Sequence, residues 1–180
     1  MPKMMRFIAI FSTAGAALAA AFFQYFQAGT LLTLAITFGT IAYHFGIRLL
    51  TGLFYNAWMK NRADYTKKWY RVHPWETKLY RFLRVKAWKN KMPAYDPLAF
   101  SSNRHTWDEV AQAMCQSELI HETNMALSFI PVIASKWFGA FHVFLLTSLC
   151  GALFDLPFII MQRYNRPRVL KIAARKNGLP

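Results

Sequence analysis

Cysteine is scarce in this chain. Only Cys115 and Cys150 occur, far apart, each inside an apolar stretch and without metal-ligand spacing. That sets aside a disulfide framework and a zinc module. Acid is scarce as well: 8 Asp and Glu stand against 22 Lys and Arg, for a net charge of +14. There is no Gly-rich phosphate loop or dinucleotide fingerprint, so nothing supports a soluble-type nucleotide pocket. A His-Glu-x-x-His zinc motif would need histidine at position 125, where Met125 stands. Internal repeats and low-complexity tracts are missing too. From these absences we expect no metal and no resident cofactor.

What is abundant is apolar. Hydrophobic residues make up 55% of the 180 residues and aromatics 17%. A strongly basic chain points to nucleic acid or to a membrane surface. The long apolar runs decide for the membrane, so no nucleic-acid partner is expected. One domain fits the length.

Four runs organise the chain. Residues 7–26 hold Gln24 as their strongest polar member, and about 20 helical residues cross a hydrocarbon core of about 30 Å. Lys3 and Arg6 before this run, with Ala19-Ala20-Ala21 inside it, also have the pattern of a cleavable signal; we read the run as a retained span. Residues 31–54 form a second span, with His44 and Arg48 at i, i+4 on one face. Arg48 there either snorkels to the headgroups or points into the bundle beside His44, near an anionic lipid group. Residues 118–137 and 138–161 give the third and fourth spans, with Pro131 expected to kink the third. The reading is therefore an all-α integral membrane bundle of four transmembrane helices.

Between the second and third spans, residues 55–108 change character. From Lys60 to Lys91 there are eleven Lys and Arg and two acids, Asp64 and Glu76, interleaved with Trp58, Trp69, Tyr70, Trp75, Tyr80, Phe82 and Trp88. Such a pattern suits an amphipathic segment lying on anionic headgroups. Thr106 with Glu109 three residues on reads as a capping box that starts a helix. The N-terminus, the 60–91 region and the tail 162–180 are all basic, which places both termini in the cytoplasm of a multi-pass cell-membrane protein.

Ionisable groups at a membrane edge are costly and usually have a reason. Glu118, His121 and Glu122 fall at i, i+3 and i+4, on one helical face. They suit a general base tuned by a carboxylate, a buried network between helices, or a metal site. Gln162, Arg163, Asn165, Arg166 and Arg168 end the last apolar run. Arginine forks there suit carboxylate or phosphate; a plain basic flank after a span would need no Gln, Tyr or Asn. Asp155 lies inside the fourth span and is expected to pair with His44, Arg48 or His121. His105 and Asp108 look like a shortened acyltransferase His-to-Asp motif, with a separation of three rather than five.

The strings Glu118-Leu119-Ile120-His121 and Pro157-Phe158-Ile159-Ile160-Met161-Gln162-Arg163-Tyr164-Asn165-Arg166-Pro167-Arg168, preceded by Trp88-Lys89-Asn90-Lys91, resemble the glycosyl-4,4'-diaponeurosporenoate acyltransferase family over roughly residues 80–172. After His121 the sequence departs from that pattern, with polar Glu122-Thr123-Asn124. The resemblance implies a small membrane enzyme that attaches a fatty acyl chain to the sugar of a glycosylated carotenoid acid. It implies His121, Glu118 and Asn165 as catalytic groups, with Gln162, Arg163, Arg166 and Arg168 on the substrates. Glu122, Arg48 and His44 join the substrate-binding candidates. The co-substrate would be an acyl thioester, on coenzyme A or an acyl carrier protein, and the acceptor a membrane lipid or glycolipid. The rival classes are a membrane methyltransferase or reductase and a non-enzymatic lipid-binding assembly subunit. Small residues at Ala14, Gly15, Ala16, Ala17 and Ala19 suit helix packing within one chain or between chains of an oligomer.

Overall fold

A computed structural model describes residues 2–93 and 96–176. The end of the expected basic tail, 177–180, and positions 94–95 of the interfacial region lie outside the described residues. Within them every regular element is helical. Helices α1 (Pro2–Phe26) and α2 (Gly29–Met59) form an antiparallel hairpin. Gly15 sits at its crossing, where an added Cβ would come within 3.1 Å of the Phe38 ring. Phe7, Ile10, Phe11, Leu18, Leu50, Leu53 and Phe54 are exposed on this hairpin. An apolar surface of that extent is what a lipid-facing wall requires.

The polypeptide leaves α2 through Lys60 and Asn61, both in the left-handed region. The Asn61 amide donates to Gln116 Oε1 at 2.7 Å, which fixes the exit against the helix that carries Gln116. Short helices α3 (Pro74–Phe82) and α4 (Val85–Trp88) follow, then α5 (Trp107–Leu127), α6 (Ile130–Phe138) and α7 (Phe141–Lys176). The capping box is present: Thr106 accepts from the Glu109 amide and Glu109 accepts from the Thr106 amide.

Helices α1, α2 and α7 are each long and apolar enough to cross a membrane. The expected third span behaves differently. Instead of one kinked helix over 118–137, the structure has two, ending at Leu127 and restarting at Ile130. Pro131 explains the break. It has no N–H to give to the Leu127 carbonyl; the Tyr43 hydroxyl donates to that oxygen instead, at 2.8 Å. In succession α5 and α6 run antiparallel to α7, which is 36 residues long and so about 54 Å in extent. Because α1 returns along α2, the N-terminal end, the exit of α2, the start of α5 and the end of α7 lie at one end of the bundle.

Candidate functional site at the basic end of the bundle

Antiparallel pairing of α5 with α7 brings together the two stretches singled out in the sequence. Glu118 is fully buried, and Arg166 is only 1% exposed. One Glu118 oxygen accepts from Arg163 at 2.5 Å and the other from Arg166. Arg166 also donates to the Tyr70 carbonyl and lies over the Tyr70 ring. Gln162, buried beside them, donates to the Ser117 hydroxyl at 3.1 Å.

Arg163 reaches out of the bundle to the interfacial segment. Its Nε and Nη2 bind the two oxygens of Glu76, at 2.7 and 2.8 Å. Its remaining bonds go to the carbonyls of Trp69 and Arg71 and to Glu118. A guanidinium has five N–H donors, so Arg163 has all of them engaged by protein. It clamps residues 69–76 to α7, and no donor is left for a substrate phosphate.

Glu76 was the acid that sequence reading passed over. The available signal was a lone carboxylate three residues after His73, within a run of cations. Its carboxylate accepts from the His73 amide and from the Tyr80 hydroxyl. Burial pushes the carboxyl up, but Arg163, the His73 amide and Tyr80 more than offset this and hold it at about 2. The same contact, with burial as the larger cause, pushes the Tyr80 phenol up. The folded pKa of Glu76 is thus below its unfolded value near 4.5, so its stabilisation is complete above that value. We expect stability to fall with acidification between about pH 4.5 and 2. Glu76→Gln should remove that part of the slope. Unfolding midpoints of both proteins across the window check it; parallel curves would rule out the assignment.

His121 meets Asp155 of α7 rather than Glu118, its neighbour on α5. Its Nδ1 lies 2.8 Å from Asp155 Oδ1, and its ring stacks on Phe158 at 4.6 Å with a 7° tilt. The other Asp155 oxygen takes Arg48 at 2.7 Å. Thus Asp155 pairs with His121 and Arg48, as two of its three expected partners, while Glu118 faces the arginines. Arg48 also donates to the His44 and Gly151 carbonyls at 2.5 and 2.7 Å; it points inward rather than to the headgroups. Gly151 permits the approach, since a Cβ there would sit 3.0 Å from His44 Nδ1 and 3.1 Å from Ser128 Oγ. Both His44 ring nitrogens are buried with no hydrogen-bond partner among the described residues.

The remaining candidates scatter. Glu122 accepts from the Trp69 indole at 2.8 Å. Asn165 accepts from Lys89 at 2.7 Å. Arg168 lies over the Tyr164 ring, 3.6 Å from its centroid. His105 is beside Glu109 at 3.7 Å, and Asp108 accepts from Tyr65 at 3.0 Å. Among the described residues no cluster of His, Cys, Asp and Glu could hold a metal.

Two levels therefore stack along α7. Glu118, Arg163 and Arg166 form the outer one. Asp155, His121 and Arg48 form the inner one, eight residues and so about 12 Å away along the helix. A family model for glycosyl-4,4'-diaponeurosporenoate acyltransferase matches residues 66–175. The chain belongs to that family. The match covers the interfacial clamp, α5, α6 and most of α7, and so contains both levels of this acyltransferase-family site except Arg48. No curated protein matches the chain, and no solved structure does.

Proposed function

We propose that this protein transfers a fatty acyl group from a thioester donor to a hydroxyl of a lipid or glycolipid, a carotenoid glycoside by family membership. The observation that carries the reading is the His121–Asp155 pair. An aspartate on Nδ1 holds the imidazole with its proton there and leaves Nε2 as the acceptor. His121 Nε2 makes no hydrogen bond among the described residues, and the side chain is 20% exposed where Asp155 is 1%. Nε2 takes the acceptor's hydroxyl proton, the oxygen attacks the thioester carbonyl, the C–S bond breaks, and the leaving thiolate recovers the proton.

Asp155 replaces Glu118 as the positioning carboxylate for His121. Glu118, Arg163 and Gln162 hold the frame, and Arg168 remains to meet a donor anion. The antiparallel α5–α6 pass supports four membrane passes, with the basic ends on the cytoplasmic leaflet of the cell membrane. A full pairing of Glu118 inside the bundle also suits an assembly subunit; the unpaired Nε2 of His121 favours the enzyme.

The test is direct. The protein in liposomes is given an acyl-coenzyme A with an isotopic label in the chain, together with a carotenoid glycoside or a simpler glycolipid. We expect a lipid product heavier by one acyl group. If the label never leaves the thioester with either acceptor, and a nucleotide cofactor copurifies instead, the acyl-transfer reading is wrong.

A further inference from the structure

Beside the outer level a groove of about 1020 Å³ runs between α3–α4 and the last turns of α7. Beside the carboxylate-paired Arg163, five further cations line it, Arg81, Arg84, Lys86, Arg168 and Lys171, and no acid does among the described residues. None of the five forms an ion pair among the described residues. The contrast with Arg163 and Arg166 is sharp, since each of those has a buried carboxylate. Lys89 registers the unbalanced charge: burial, then Arg168 and Lys86, push its ammonium pKa down.

The groove also has an aromatic side. Tyr164 carries Arg168 on its ring, Lys89 lies 5.4 Å from the same centroid, and Tyr80 meets it edge-on at 5.9 Å. Arg168 is thereby held in place before any ligand arrives. At the α3–α4 junction Arg84 has φ of 49°, in the left-handed region that a residue with a Cβ adopts only at a cost. Glycine would suit that backbone better. An arginine at such a position, aimed into a cationic groove, is a local sacrifice that calls for a ligand.

We propose that this groove binds a ligand carrying clustered phosphates, with Arg84, Arg168 and Lys171 as the phosphate contacts. Arginine forks match phosphate in two-point fashion, and lysine adds point charge. Two sources present that chemistry: the nucleotide end of a soluble acyl-coenzyme A, and the headgroups of anionic membrane lipids. In assigning the phosphates to the acyl donor, the inference rests on the acyl-transfer reading; the phosphate site itself is measured apart from turnover.

The probes are free coenzyme A and phosphatidylglycerol. Coenzyme A is titrated calorimetrically into the full chain in nanodiscs of phosphatidylcholine. We expect saturable binding that weakens with added salt and drops about tenfold in Arg168→Gln and in Arg84→Gly, the size of one lost phosphate contact. Arg84→Gly should melt at the same temperature as the parent or higher, since its backbone is relieved, which separates lost binding from lost folding. If coenzyme A does not bind, but nanodiscs containing phosphatidylglycerol raise the melting temperature of the parent and not of the two variants, the phosphate site stands and its source is the lipid. If neither probe distinguishes the variants from the parent, the site is overturned. Loss of acyl transfer with binding intact would overturn the enzymatic reading alone.

Discussion

Glu118→Gln is expected to lower stability by about 3–5 kcal/mol, the range for removing one partner of a buried ion pair. The carboxylate is fully buried and serves two guanidinium groups. Its loss leaves Arg166, itself buried, without a counter-charge, held only by neutral groups such as the Tyr70 carbonyl and ring. Arg163 keeps Glu76 as counter-charge, so the penalty falls mainly on Arg166. Pairing Glu118→Gln with Arg166→Met should therefore recover part of the loss, because an apolar replacement of both partners is often close to neutral. Thermal midpoints of the two single variants and the double variant in one detergent give the coupling. Strict additivity would show that the two side chains do not depend on each other.

The second large effect concerns turnover. His121→Gln should reduce kcat by about 10²–10⁴, the usual contribution of a positioned general base, with little change in melting temperature. His121 is partly exposed and bonded through one ring nitrogen. Asp155→Asn should lower both activity and stability, since the same carboxylate neutralises Arg48. The split between turnover and melting temperature separates the roles: His121→Gln should lose kcat with folding intact, whereas Asp155→Asn should lose both. Turnover of His121→Gln within a few-fold of the parent would move the base elsewhere.

Much of the architecture was legible in the sequence for simple reasons. The first two spans are uninterrupted apolar runs, and the capping box at Thr106 is a short-range pattern. The two polar clusters that carry Glu118 and the arginines stood out at membrane edges, although the ion pairs between them did not. The sequence left Asp155 with three candidate partners, His121 among them, and did not choose between them or pair His121 away from Glu118. Glu118 and His121 lie nearly one turn apart on α5, so each meets a different turn of antiparallel α7: one meets Arg163 and Arg166, the other Asp155 and Phe158. Shared face on one helix does not decide shared partner on the next. The break between α5 and α6 was half legible, since Pro131 marked it, but the Tyr43 hydroxyl that accommodates it comes from a helix over eighty residues away. The Arg163 clamp depends on backbone carbonyls at Trp69 and Arg71, for which no side-chain pattern exists.

The division of charge between α5 and α7 bears on biosynthesis. The α1–α2 hairpin is apolar along its outer face and can enter a bilayer as soon as it is made. Helix α5 carries Glu118, and α7 carries Arg163, Arg166 and Asp155. Asp155, on the inner level, opposes insertion by about 3 kcal/mol when alone and is neutralised by Arg48 of the hairpin; Glu118 is neutralised by Arg163 and Arg166 of α7. The C-terminal half must then wait, near the bilayer surface, until translation delivers Arg166, and settle as a pair of helices rather than one at a time.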